Sequence, residues 1–382
     1  MKVTGGELFQ VPPRWLFLRL LTDDGFEGWG EPIVEGYAPT VARAVEQLLT
    51  HVIGKDPRRI EDLFQVLYRG GFYRGGPILT SALSGIEQAC WDIKARALGV
   101  PVFDLLGGRV RERMKVYAWI GGDRPQDATQ EARDRVAQGF RAVKMNATAE
   151  MGYSEPPVVV ARIVARAEAV RDAVGPDVDV ALDFHGRLHM AMAVRVLDAI
   201  KHIEPVFVEE PVLPEHLRAL PELARQTTVP LATGERLYTR WGFRDLLERG
   251  GVAIVQPDVS HAGGIWETRK IAAMAETYDV ALAPHCPLGP IALAASLQVD
   301  ACTPNAVFQE HSLGIHYNVG ADLDTYVRDA GWMQPVDGYV TLPDVPGLGV
   351  DMDVERLREA AVTSEGWHDQ VWRLEDGSVA ER

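Results

Sequence analysis

Val178-Asp179-Val180-Ala181-Leu182-Asp183-Phe184-His185-Gly186 is the stretch that decides the fold, because a short apolar run, Val178–Leu182, ends on a carboxylate. The arrangement recurs down the chain. Glu209 follows Val206–Val208, Glu235 follows Pro230–Ala232, Asp258 follows Val252–Val255, His285 follows Ala281–Ala283 and Glu310 follows Ala306–Phe308. Positions 183, 209, 235, 258, 285 and 310 are separated by 26, 26, 23, 27 and 25 residues. An interval of about 25 residues is what one strand, one helix and two short loops consume. Short buried runs alternating with helical patterns mean repeated βα units and a parallel sheet. The spacing predicts an α/β fold, a (β/α)8-type (modified TIM) barrel. In such a barrel the carboxyl ends of the strands share one face, and that face carries the chemistry.

Length and composition agree. The 382 residues suit a barrel with a smaller partner domain, and the 47% apolar content supports a large core. A formal charge of −15 argues against nucleic acid and anionic membranes as partners. It leaves room for an acidic substrate, since a bound cation can reverse the local field. Met1-Lys2-Val3-Thr4 opens no signal-peptide pattern, and no apolar run reaches the ~18 residues of a membrane span. A cytoplasmic location is expected. The three cysteines, Cys90, Cys286 and Cys302, form no CxxC pair, so neither a disulfide framework nor a zinc motif is read.

Three segments follow. Residues 1–112 form an α+β capping domain: strand-like Arg14–Thr22 and Gly25–Glu31 meet at the turn Asp23-Asp24-Gly25, and helices are predicted over Thr40–Ile53, Ile60–Tyr68 and Ser81–Leu98. In the last helix Leu83, Ile86, Ala89, Cys90, Ile93 and Ala97 recur at three- and four-residue steps, and Gly99 stops it. Residues 113–310 form the barrel, with Met114–Ile120 its first strand and Arg141–Asn146 its second. Residues 311–382 lack a further repeat and are expected to return to the capping domain and complete it. Glu31–Thr40 and Gly75-Gly76 lie between elements, where lid-like loops occur.

Ligand types give the chemistry. Mg²⁺ takes hard oxygen ligands and keeps open positions for water or substrate. Asp183, Glu209 and Glu235, on three adjacent strands, supply three such arms. One strand-end carboxylate could equally cap a helix or pair with an arginine; three at one spacing converge. Alternation sends Glu209 and Glu210 to opposite faces, so one of them meets the metal. His185 shares the face of Asp183 if the strand continues. Asp258 ends the strand beside His285, and a carboxylate on one ring nitrogen raises the basicity of the other. Two histidines flanking a metal suggest one proton taken and one given. Cys286 diverges from His285 and is read as packing.

These residues carry a resemblance. Leu182-Asp183-Phe184-His185-Gly186, Val208-Glu209-Glu210-Pro211, Gly234-Glu235-Arg236, Gln256-Pro257-Asp258 and Ala283-Pro284-His285 resemble the enolase superfamily and, within it, the mandelate racemase subgroup. Pro12-Pro13-Arg14-Trp15, Gly71-Phe72-Tyr73-Arg74-Gly75-Gly76-Pro77, Gly314-Ile315-His316-Tyr317-Asn318 and Trp372-Arg373 with Ser378-Val379-Ala380-Glu381 favour its sugar-acid dehydratases. The resemblance implies Mg²⁺ on Asp183, Glu209 and Glu235, and proton abstraction next to the substrate carboxylate through a metal-stabilised enediolate. It implies that His285, aided by Asp258, takes the C2 proton, His185 protonates the departing 3-hydroxyl, and Glu310 hydrogen-bonds a carboxylate oxygen. The product is a 2-keto-3-deoxy acid, D-galactonate is the first choice of substrate, and a homo-oligomer is expected. His316, with Lys144 and Asn146, is a candidate substrate contact.

One departure is informative. Many subgroup members carry Lys-x-Lys where this chain has Lys144-Met145-Asn146, and asparagine cannot titrate. Racemisation needs acid/base groups on both faces of the α-carbon, so the asparagine favours elimination. An epimerase or racemase of a hydroxy acid is the competing enzyme, and a barrel that has lost turnover the non-enzymatic alternative. The spacing does not reveal which hydroxyl pattern is accepted.

Overall fold

A computed structural model describes residues 1–123, 127–363 and 367–381; residues 124–126, 364–366 and 382, within the expected segments 113–310 and 311–382, lie outside the described residues. Three antiparallel strands come first, β1 (Val3–Val11), β2 (Trp15–Thr22) and β3 (Glu27–Gly30), with β2 in the centre. The turn between β2 and β3 places Gly25 at a φ of +85°, where a side chain would be strained. Helices α1 (Ala38–Leu49), α2 (Ile60–Arg69) and α3 (Pro77–Leu98) follow. Helix α3 starts earlier than its apolar periodicity suggests, because Pro77 is preset for a first helical turn. It lies against β3 at backbone distance: a Cβ on Gly30 would stand 1.9 Å from the Gly85 carbonyl oxygen. Its other side meets the barrel, so even Ser81, Ser84, Glu87 and Gln88 are buried.

The barrel strands are β4 (Met114–Ile120), β5 (Ala142–Asn146), β6 (Asp179–Asp183), β7 (Val208–Glu209), β8 (Leu231–Thr233), β9 (Ile254–Val255), β10 (Ala281–Leu282) and β11 (Gln309–His311). All pair in parallel from β11 through β4 to β10, and a bridge between Leu282 and Ala306 closes the ring. This is an α/β barrel of the (β/α)8 type under an antiparallel-sheet cap. The last strand lies a little beyond the run Ala306–Phe308, since Glu310 itself pairs with Tyr117 of β4. A further short strand, β12 (Tyr339–Val340), runs antiparallel to the start of β4. The helix Val354–Thr363 packs on β1, with Arg358 reaching Glu7, and Trp372 covers the Arg187 guanidinium at 4.4 Å. Among the described residues no helix is long and apolar enough to cross a membrane.

Period-two alternation layers the barrel interior. A lower apolar layer contains Tyr117, Ala142, Ala181, Phe207, Ile254, Ala283 and Phe308. Two residues further along each strand stand Trp119, Lys144, Asp183, Glu209, Gln256, His285 and Glu310. The aromatic trio Tyr117, Phe207 and Phe308 meets edge to face, with centroids 5.9–6.2 Å apart, and seals the floor beneath the polar layer.

Candidate active site

Asp183 and Glu209 end adjacent strands in direct register, so their side chains rise side by side. Glu235 reaches the same spot by a different route. It follows Gly234, whose φ of +145° turns the chain inward after β8. Glu210, at a φ of +45°, holds that turn by accepting hydrogen bonds from the Gly234 N–H (3.3 Å) and from Arg236 (2.6 Å). Oxygen atoms of Asp183, Glu209 and Glu235 all lie within 4.8 Å of one another.

This cluster suits a hard cation. Its donors are carboxylate oxygens alone. Asp183 Oδ2 is buried without a hydrogen bond, although Lys144 Nζ and His185 Nε2 stand 3.4 and 3.3 Å away. Lys144, fully buried, also lies 2.8 Å from both Glu209 and Glu310, and Gln256 donates to Glu209 at 2.7 Å. One ammonium among four carboxylates leaves negative charge in excess. Burial and the neighbouring Asp183 push the Glu209 carboxyl well above the usual carboxylate range. Burial also resists charge on Asp183, but His185 and Lys144 outweigh it and hold that carboxyl low.

His285 stands at the end of β10 with Nδ1 2.9 Å from Asp258 Oδ2. The other Asp258 oxygen accepts the Ser260 N–H at 2.7 Å. A carboxylate accepts only, so Nδ1 carries a proton, and the ring turns Nε2 toward the carboxylate cluster, 3.3 Å from Glu235 and 3.9 Å from Glu310. Burial alone would depress the imidazolium; Glu235, Glu310 and Asp258 more than offset it and raise its pKa well above the ordinary value.

His185 reaches the site differently from the continuing strand expected. Strand β6 ends at Asp183, and His185 and Gly186 take φ values of +49° and +67°. Asp183 Oδ1 accepts the His185 N–H at 2.8 Å, which folds the residue back, and the ring stacks on Trp119. Its Nδ1 is 3.3 Å from an Arg187 guanidinium nitrogen and 3.5 Å from Asn146 Nδ2. Asn146 Oδ1 is engaged by the Thr148 N–H at 3.0 Å, which fixes its amide group toward the histidine. Arginine can only donate. Nδ1 of His185 is therefore the acceptor and Nε2 carries the proton, whereas Nδ1 of His285 is a donor. Arg187 is itself pinned by the Asp123 and Thr148 carbonyls at 2.9 and 2.7 Å.

Of the remaining candidates, Glu310 accepts the Cys286 N–H at 2.8 Å and pairs with Lys144. His316 packs against Trp119 and Tyr317 and lies 3.5 Å from Asp123, while its neighbours Ile315 and Tyr317 line the cavity. The cavity of about 330 Å³ above the cluster is also lined by Arg14, Glu35, Arg236, Tyr238, His261 and Trp367. Burial pushes the Cys286 thiol up, consistent with packing. Gln256 and Arg187 escaped the sequence reading, though both were marked: each stands at a two-residue step from a residue singled out, Asp258 and His185.

Residues 127–357 match the enolase C-terminal domain-like family, and residues 12–107 match the mandelate racemase / muconate lactonizing enzyme N-terminal domain. D-galactonate dehydratases from Variovorax paradoxus (strain S110) and Ralstonia nicotianae (strain ATCC BAA-1114 / GMI1000) are 54% and 53% identical over 381 residues, covering 100% of both chains. Among solved structures, an enolase from Agrobacterium radiobacter with bound Na and L-malate is 32% identical, with a TM-score of 0.91 and 100% of both chains covered. A mandelate racemase/muconate lactonizing enzyme from Jannaschia sp. CCS1 is 31% identical, with a TM-score of 0.87, covering 97% of this chain and 100% of that one.

Proposed function

The chain belongs to the mandelate racemase / muconate lactonizing enzyme family of the enolase superfamily, and from that premise we propose Mg²⁺-assisted dehydration of D-galactonate to its 2-keto-3-deoxy acid. That it is a hydro-lyase of a sugar acid follows from dehydratase relatives above 50% identity over the whole chain. Substrate, ion and residue roles are the proposal. The observation that carries it is the opposite partnering of two histidines facing one carboxylate cluster, Nδ1 of His285 on the Asp258 carboxylate and Nδ1 of His185 on the Arg187 guanidinium.

Asp183, Glu209 and Glu235 would hold the ion, which when bound offsets the negative charge that builds on the substrate carboxylate. Lys144 and Glu310 flank that carboxylate. His285 Nε2 takes the C2 proton, and Asp258 keeps the ring oriented and stabilises the imidazolium that forms. The electrons left at C2 give an enediolate. As the C3–O bond breaks, His185 Nε2 gives its proton to the departing hydroxyl, which leaves as water. The resulting enol ketonises to the 2-keto acid. Asn146, on the far side, can hold His185 but cannot take a proton, so the C2 centre is not inverted.

The direct test is a panel of aldonates with Mg²⁺, assayed for 2-keto acid formation. D-Galactonate should be turned over fastest. Interconversion of C2 epimers without keto acid would instead establish an isomerase.

A further inference from the structure

The Asp258–His285 pair stands on two loops that run into barrel helices, and both helices start on side chains from the capping domain. After His285, the helix Pro290–Ala301 begins at Gly289. The Gly289 and Ala292 N–H groups donate to the two oxygens of Glu31, at 2.7 and 2.9 Å. After Asp258, the helix Ile265–Glu276 begins at Gly264. There the Ile265 and Trp266 N–H groups donate to Glu87, at 2.8 and 2.9 Å. A helix start leaves N–H groups without intrahelical partners, and neither of these two helices has a side-chain cap of its own. The glycines make the approach possible: a Cβ on Gly289 would lie 2.7 Å from Glu31 Oε1, and one on Gly264 2.2 Å from Glu87 Oε2.

A third link reaches the pair itself. The Gln88 amide oxygen accepts the Glu31 N–H at 2.8 Å, and its nitrogen donates to Ser260 Oγ at 3.1 Å. Ser260 N–H donates in turn to Asp258 Oδ1 at 2.7 Å. Ser84, one turn earlier on α3, accepts the Gly263 N–H at 3.0 Å. Ser84, Glu87 and Gln88 fall at three- and four-residue steps, hence on one face of α3, and all are buried.

We propose that Glu31 and Gln88 are positioning residues for the base, so that the capping domain sets where Asp258 and His285 stand relative to the barrel. The inference rests on the reading of His285 as the base. Both residues act through backbone and Ser260, and neither is among the residues that form the carboxylate cluster or line the cavity. Their loss should therefore slow proton abstraction while sparing ion and substrate binding.

The test uses the full chain with Mg²⁺ and D-galactonate. Gln88→Leu removes both amide hydrogen bonds at similar volume, and Glu31→Gln turns an N–H toward a backbone N–H. Exchange of the C2 hydrogen with solvent deuterium and kcat should fall together, roughly 10–100-fold, the scale expected for a misplaced reacting group. KM and the Mg²⁺ dissociation constant should stay near wild type. A lowered thermal midpoint with unchanged kcat and exchange would overturn the proposal, as would a loss confined to KM. If Glu31→Gln does not fold, Gln88→Leu decides alone. His285→Asn in the same assay separates the two readings. If it still exchanges C2 hydrogen, the base assignment has failed; if it is inert while Gln88→Leu matches wild type, only the positioning inference has.

Discussion

His285 and His185 are the same side chain in opposite circumstances. His285 donates a hydrogen bond from Nδ1 to a carboxylate, Asp258, while Nδ1 of His185 faces the donors of Arg187 and Asn146. A carboxylate partner makes the far nitrogen a better acceptor, and a guanidinium partner makes it a donor. The difference teaches that the division of labour lies in the residues behind the rings. An Asp258–His285 pair alone would describe a proton abstractor; the Arg187–His185 pair adds a group able to assist a leaving hydroxyl.

The largest expected effect falls on both histidines at once. Stripping the protein with chelator should abolish keto acid formation and C2 exchange, and Mg²⁺ should restore both. Full activity in chelator would break the comparison at its base, since nothing would then join the two sides. Next, His185→Asn should suppress dehydration of the natural substrate by roughly 10²–10⁴-fold, the usual worth of general acid help. A 3-fluoro analogue, whose leaving group needs little protonation, should partly recover the variant. Equal impairment on both substrates would mean that His185 is not the leaving-group acid.

A smaller effect isolates the wiring. Arg187→Met leaves His185 without its guanidinium donor and should lower kcat for dehydration about tenfold, within the range of acid/base effects. C2 exchange should persist. Loss of exchange in step with dehydration would show that Arg187 serves the site as a whole.

The smallest effect concerns the anchors on the His285 side. Burial raises Glu31 and Glu87 from 4.5 to about 8, against the pull of the backbone donors. Between those values the unfolded chain has lost protons that the native state keeps. Their contribution to stability is therefore complete below the unfolded pKa, declines as pH rises and levels off above about 8. Glu87→Gln, which cannot ionise, should show a flatter fall of thermal midpoint over that window than wild type. A steeper fall would contradict the assignment.

The strand ends were legible because barrel geometry imposes a period on the sequence and alternation places every second residue inward. Asp183, Glu209, His285 and Glu310 each stand two residues above an apolar partner, and Gln256 could have been found by the same count. Glu235 kept the spacing but breaks the alternation, since Gly234 lets the chain turn. His185 was placed on a strand that in fact ends at Asp183; its left-handed backbone carries no local signal in a non-glycine residue. The polar face of α3 was hidden because its partners lie far away in sequence: Ser84 meets a backbone N–H 179 residues on. The apolar positions of that helix showed the packing but not the load it carries.

The central claim is that one histidine takes a proton and the other gives one, and deuterium wash-in at C2 tests it most directly. Wild type, His185→Asn and His285→Asn would each be incubated with D-galactonate and Mg²⁺ in deuterated water, and recovered substrate and keto acid measured together. The account predicts that His185→Asn incorporates deuterium at C2 while forming little keto acid, and that His285→Asn does neither. Deuterium entering C2 in the His285→Asn protein at the wild-type rate would contradict it.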